Sequence, residues 1–249
     1  MQLLLKIGAV MLLLAAVLVG TSFGIMRAQD VGNHTGNGSH ALKSEVRKVG
    51  ADVVNIEVNG PIELMLTQGA NPGMVVVGEE RLLSRVQATQ KGTTLSIDMD
   101  NTNFFHTRFN HALRVELTLP ALQQLTFYGS GDGIVSGFSG DKLTIALHGS
   151  GDVRFNGDYQ HVNASTLGSG DLDLALGNNS DLDLHMMGSG SVTTSGHSKA
   201  LSAHIMGSGD LGAEKLMADS VKIDVMGSGN SDVYAKQVAI LDVKGSGDI

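Results

Sequence analysis

Cysteine and tryptophan are missing from this chain of 249 residues, and proline occurs only three times. Without cysteine there is no disulfide framework, no thiolate zinc site, no thiol nucleophile and no lipid-anchoring cysteine. Three prolines cannot build a collagen-like triple helix. Aromatic residues make up only 4% of the chain, few for a glycan cleft, and none recurs once per repeat. Cationic side chains are also scarce, 17 against 25 acidic ones for a net charge of −8, which argues against a nucleic-acid or anionic-lipid surface. Glycine is the abundant residue, with 33 copies, about twice its usual share of roughly 7%. Apolar residues at 42% still suffice for a packed core, so a disordered glycine-rich polymer is excluded.

The N-terminus carries a targeting signal. Residues 1–19 are apolar apart from Gln2 and Lys6, and small residues follow at Gly20, Thr21, Ser22 and Gly24. This reads as a signal peptide over residues 1–24, cleaved after Gly24 or after Ala28. The competing reading is an uncleaved anchor, because Leu3 to Val19 approaches the ~20 residues that span a bilayer. That anchor would be the chain's one contact with a membrane. Residues 25–44 read as a flexible linker, polar and glycine-rich over Asp30–His40, and residues 45–249 as the folded domain.

Gly-Ser-Gly recurs seven times, bounded by Gly129 and Gly131, Gly149 and Gly151, Gly168 and Gly170, Gly188 and Gly190, Gly207 and Gly209, Gly227 and Gly229, and Gly245 and Gly247. The period is mostly 19–20 residues, and the next residue is Asp132, Asp152, Asp171, Ser191, Asp210, Asn230 or Asp248. Two, four and six residues before each motif the side chains are small or apolar, as in Met186, Leu184 and Leu182 or Val225, Ile223 and Val221. The positions between are mostly polar, and such period-two alternation marks a strand with one buried face. A repeat this short cannot hold a βαβ unit of roughly 30 residues. It can hold two or three short strands whose coils stack in parallel. The reading is an all-β parallel solenoid with Gly-Ser-Gly-Asp turns, in which Gly allows the bend and Asp, Asn or Ser accepts turn hydrogen bonds. The nonapeptide of calcium-binding β-rolls has a different period. Before the repeats, Val53–Val58, Pro61–Gln68, Met74–Val77, Thr94–Met99 and Leu113–Leu119 also read as strands, and Glu79–Val86 as one helix of two turns that caps or covers the solenoid. Asn101–His111, with three phenylalanines, reads as a loop.

Val58-Asn59-Gly60-Pro61 through Thr67-Gln68-Gly69, the Leu82-Leu83 segment, Gly92 to Ile97 and the Gly-Ser-Gly-Asp coils together resemble the putative auto-transporter adhesin, head GIN domain family, over roughly Val46 to Ile249. The resemblance implies a right-handed parallel β-helix in an exported protein, placed in the periplasm or cell envelope of a Gram-negative bacterium. It brings no catalytic residues.

Stacked coils bring equal offsets side by side, and three columns then suggest chemistry. The Asp132, Asp152, Asp171, Asp210 column could hold Ca²⁺, although turn aspartates are commoner without metal, each capping its own turn. His185, His204, Asp224 and Asp242, three residues before successive motifs, are a Zn²⁺ or Cu²⁺ donor set or simply a polar outer face. Met187, Met206 and Met226, one residue before, suggest Cu(I) or methionine packed at a bend. No required cofactor follows from any of them beyond weak divalent metal binding. Enzyme motifs of the G-x-S-x-G, H-E-x-x-H and P-loop kinds are absent, and Lys142, Arg154, Lys199, Lys215, Lys222 and Lys236 scatter to different offsets. The expected function is therefore a non-catalytic exported module that presents a ladder face to an envelope protein or glycan. The alternative is a carbohydrate-active β-helix enzyme. The apolar last strand, Val238–Val243, is expected to self-associate or to accept a partner strand, unless Lys236 and Lys244 block its edge.

Overall fold

The computed structural model describes residues 42–99 and 113–249. The expected signal segment, most of the expected linker and the Asn101–His111 loop lie outside these residues. Among the described residues, fourteen strands and one helical turn follow in chain order. They are β1 Leu42–Arg47, β2 Asn55–Asn59, β3 Ile62–Gln68, β4 Gly73–Glu79, α1 Glu80–Leu83, β5 Val86–Lys91, β6 Thr94–Met99, β7 Leu113–Leu119 and β8 Gln124–Gly129. The long strands are β9 Gly133–Gly149, β10 Val153–Gly168, β11 Leu172–Gly188, β12 Val192–Gly207, β13 Leu211–Gly227 and β14 Ser231–Gly245. Together they form a parallel β-solenoid of ~6 turns.

Each long strand is one coil with two flat sides. β11, for example, pairs with β12 over Leu172–Ala175 and again over Asn178–Gly188, with a break in register between. The break is the far corner of the coil, and the Gly-Ser-Gly turn is the near one. The alternation recognised in the sequence points its apolar members inward. Leu143, Val162, Leu182, Leu201 and Val221 form one buried column, and Ile145, Ala164, Leu184, Ala203 and Ile223 the next. Burying a Val, Leu or Ile stabilises the fold by about 1.5–3 kcal/mol, and here each residue is covered by its own counterparts in the coils on either side.

The near corner stacks backbone on backbone. In all seven motifs the first glycine has positive φ, between 121° and 151°. Its carbonyl accepts a hydrogen bond from the serine N–H of the following turn, as in Ser189 N to Gly168 O at 2.9 Å and Ser208 N to Gly188 O at 2.9 Å. The second glycine needs no unusual φ, but a Cβ on Gly190 would overlap the carbonyl oxygen of Gly170. The two glycines are therefore required for different reasons, one for conformation together with approach and one for approach alone.

The N-terminal part uses the same two sides in a different order. β2 and β3, joined at Gly60 with φ 105°, make the coil against which β8 and the start of β9 stack. On its other side lie β6, parallel to β2, and β7, parallel to β3. β4, α1 and β5 run in reverse, antiparallel to β7 and β6, and β1 adds antiparallel to β4. The β2–β3 coil is thus covered on both sides by later segments.

Two expectations change here. The helix is one turn rather than two, because Val86 leaves it to begin β5, where it pairs with Met99 of β6. Leu82 and Leu83 are buried in the core. β1 begins inside the stretch expected as linker, held by Arg47, whose Nη1 and Nη2 donate to the carbonyls of Val86 at 2.6 Å and Leu83 at 2.8 Å. β1 and β5 are edge strands with little buried surface, so neither carries the alternating signal.

The far corner carries its own ladder. Buried Tyr159 donates its hydroxyl to the Leu122 carbonyl at 2.6 Å. Asn179 Nδ2 donates to the Tyr159 carbonyl at 3.1 Å, and Ser198 Oγ donates to Asn179 Oδ1 at 2.9 Å. Burial pushes the Tyr159 phenol from 10.0 up to about 12, since a phenolate there would lose its hydration. A folded pKa above the unfolded one means stability that is complete below pH 10 and lost as pH rises toward 12. Urea melts of wild type and Tyr159→Phe should therefore differ in slope between pH 10 and pH 12, with the wild type falling more steeply. At neutral pH the variant should be less stable by about 1 kcal/mol, from the lost bond to Leu122.

Candidate binding surface

The outer face of the flat side that leads into each Gly-Ser-Gly turn gathers the columns that suggested chemistry. The strand pairing confirms their register. His185 lies opposite His204, His204 opposite Asp224 and Asp224 opposite Asp242. The His185 and His204 rings stack with centroids 5.4 Å apart and planes 14° from parallel. His204 Nδ1 is 3.2 Å from Asp224 Oδ2, whereas Asp242 is engaged by Lys244 Nζ at 2.7 Å. That bond and the Asp242 charge push the exposed Lys244 ammonium above its ordinary pKa. Among the described residues no three His, Asp or Glu side chains converge to hold a metal ion. His185, His204, Asp224 and Asp242 are thus assembled as a column along four coils.

The aspartate column behaves differently from the expected self-capping turn. Asp132 Oδ1 accepts from the backbone N–H of Asp152 at 2.9 Å, Asp152 Oδ1 from Asp171 N at 3.1 Å, and Asp210 Oδ1 from Asn230 N at 2.8 Å. Asp171 Oδ1 accepts from both Ser191 N, at 2.9 Å, and Ser191 Oγ, at 2.7 Å. Each carboxylate caps the next coil instead of its own turn. A single strand cannot provide this bond, and Asn230 Oδ1 makes the same one to Asp248 N at 3.2 Å, which explains why Asp and Asn are interchangeable along the column.

Met187, Met206 and Met226 also depart from expectation. They do not pack into the bend but stand 42%, 43% and 48% exposed. In register with them lie Leu167, His148 and Tyr128. Leu167 and Tyr128 are each 46% exposed, and the His148 ring stacks on Tyr128 at 5.0 Å. The result is a continuous outward ridge of apolar and aromatic side chains along the turn edge. Tyr128 and His148 stand at the same offset as the methionines, one residue before Gly129 and Gly149. A second pair, His161 Nδ1 to Asp181 Oδ2 at 2.8 Å, lines an open groove of about 530 Å³ with Lys142 and Asp183. It lies seven residues before the turns, where no residue type recurs from coil to coil to signal it in the sequence.

Comparison with known proteins agrees with this architecture. The model of the putative auto-transporter adhesin, head GIN domain family matches residues 54–175 and again 154–249. The chain belongs to this family. That the match occurs twice and overlaps reflects the repeating coils of the head GIN domain. Among solved structures it is similar to a putative adhesin from Bacteroides fragilis, with TM-score 0.74, 24% identity, and coverage of 85% of this chain and 97% of the other. A putative adhesin from Parabacteroides distasonis has TM-score 0.74, 21% identity and coverage of 85% and 97%. A putative lipid binding protein from the same species has TM-score 0.68, 20% identity and coverage of 85% and 98%. No curated protein matches the chain. These likenesses show the fold, and the family's auto-transporter description suggests an exported or envelope protein.

The aspartate ladder makes a direct prediction for the head GIN domain. Asp171→Ala should lower stability by about 1–2 kcal/mol, because the Ser191 N–H and hydroxyl lose their acceptor. Asp171→Asn keeps an acceptor oxygen and should be close to neutral. Calcium or EDTA should leave the thermal midpoint of the wild type unchanged, and a calcium-dependent rise would instead return the column to the metal reading.

Proposed function

We propose that this protein is a non-catalytic, adhesin-like binding module of the Gram-negative cell envelope, and that its outward ridge docks a protein partner. The observation that carries the reading is the ridge itself. Solvent-facing strand positions are ordinarily polar, yet Tyr128, Leu167, Met187, Met206 and Met226 hold large apolar side chains in register across consecutive coils. Polar columns flank it, as a rim flanks the core of an interface. Family membership supports an adhesin-like role, and export through the N-terminal segment would place the module outside the cytoplasm. The scarcity of aromatics favours a protein surface over a sugar. The groove beside His161 is open, and its groups do not include an activated nucleophile.

The test is binding of the purified full chain to fractionated envelope proteins and to purified glycans, measured by biolayer interferometry beside an assay for released reducing ends. Saturable protein binding that falls about tenfold or more in Leu167→Glu and Tyr128→Ser is expected, as a residue truncated in an interface core commonly costs over 1 kcal/mol. Glycan cleavage by the wild type would support the carbohydrate-active reading instead.

A further inference from the structure

The ridge and the histidine column adjoin, and their overlap is more specific than either alone. His185 and Met187 lie two residues apart in β11, and His204 and Met206 two apart in β12. The pairs are in register, His185 opposite His204 and Met187 opposite Met206. Alternation puts all four on the same outward face, where Met187 and Met206 are substantially exposed. Neighbouring strands are about 4.8 Å apart and alternate residues about 6.7 Å apart, so the four side chains start from the corners of a small rectangle. The two imidazoles already stack at 5.4 Å. Asp224, one coil further, approaches His204 Nδ1 at 3.2 Å. A carboxylate on the Nδ1 side favours the tautomer with its lone pair on Nε2, the arrangement that commonly orients ligating histidines.

The donor chemistry narrows the occupant. Two thioethers and two imidazoles offer no anionic oxygen, and of the neighbouring carboxylates Asp224 lies against His204 and Asp242 against Lys244. Hard cations such as Ca²⁺ and Mg²⁺ demand oxygen ligands, and Zn²⁺ takes nitrogen, thiolate and carboxylate. Thioether sulfur instead selects soft monovalent ions. This also accounts for methionine, rather than a polar residue, standing in solvent beside histidine in both coils. We propose that His185, Met187, His204 and Met206 form a binding site for a soft monovalent cation, Cu(I), with Ag(I) as its redox-inert analogue. Asp224 acts as a positioning residue through His204; the site shares Met187 and Met206 with the ridge, but its occupant is a metal ion rather than a protein.

The test is titration of the full chain with silver nitrate in chloride-free buffer, followed by calorimetry and by the NMR signals of ¹³C-methyl methionine. One equivalent should bind and shift the Met187 and Met206 methyl resonances. Met187→Leu, Met206→Leu, His185→Gln and His204→Gln should each weaken binding by about tenfold or more, and Asp224→Asn by about tenfold. Met217→Leu, at an exposed methionine outside the rectangle, should leave binding unchanged, which separates the site from the chain's other methionines. Circular dichroism of each variant controls for folding, which these surface changes should not disturb. Absence of saturable silver binding, equal affinity in Met187→Leu and Met206→Leu, or displacement of Ag(I) by equimolar Zn²⁺ would each overturn the proposal.

Discussion

Carbonyl oxygens of one Gly-Ser-Gly turn lie where the Cβ atoms of the next turn would be, and most of this architecture follows from that contact. The coils can sit at β-sheet spacing at the near corner only because both outer positions of each turn lack a side chain. With the corners in contact, serine N–H groups continue the ladder through the bend. The aspartates after the turn then reach one coil along, and the buried columns align without slipping. The register break at the far corner shows what happens where this constraint is weaker. There the chain varies in length, and closure is shared among Tyr159, Asn179 and Ser198.

The same register makes the surface. Any residue type that recurs at one offset becomes a column, so a repeat that keeps leucine inward also lines up methionine and histidine outward. The inner columns explain stability. The outer ones are free to vary, and they do: a ridge near the turn, polar columns beside it, and charged pairs such as Asp242 with Lys244 toward the last coil. That last coil leaves Val238, Ile240, Leu241 and Val243 exposed, in contrast to the opposite end, where charged β1 and buried Leu82 and Leu83 finish the stack.

The repeat half was readable because its period is strict, its glycines are irreplaceable and its alternation is clean. The N-terminal half was readable as strands but not as a thread. Nothing in Asn55–Asn59 or Ile62–Gln68 reveals that later strands will cover both of their sides, since those pairings join segments distant in sequence. The far-corner glycines Gly137, Gly157, Gly177 and Gly196 form a looser series that the near-corner motif overshadowed. Side-chain fate at an outward offset was the least legible property. Period alone showed where Met187 and Met206 would align, but not whether a bend would bury them, and it placed Asp171 at a turn without revealing that its bond crosses to Ser191.

Thermal melts of Gly188→Ala and Gly190→Ala beside Gly212→Ala test the stacking constraint most directly. Gly188 combines φ 130° with contact to the Gly168 carbonyl, and Gly190 meets the Gly170 carbonyl. Gly212 has ordinary space, its added Cβ no nearer than 3.5 Å to Glu214 Oε2. The account predicts losses of about 2 kcal/mol or more for the two turn variants, with Gly212→Ala neutral or slightly stabilising. Equal midpoints for all three variants would contradict it.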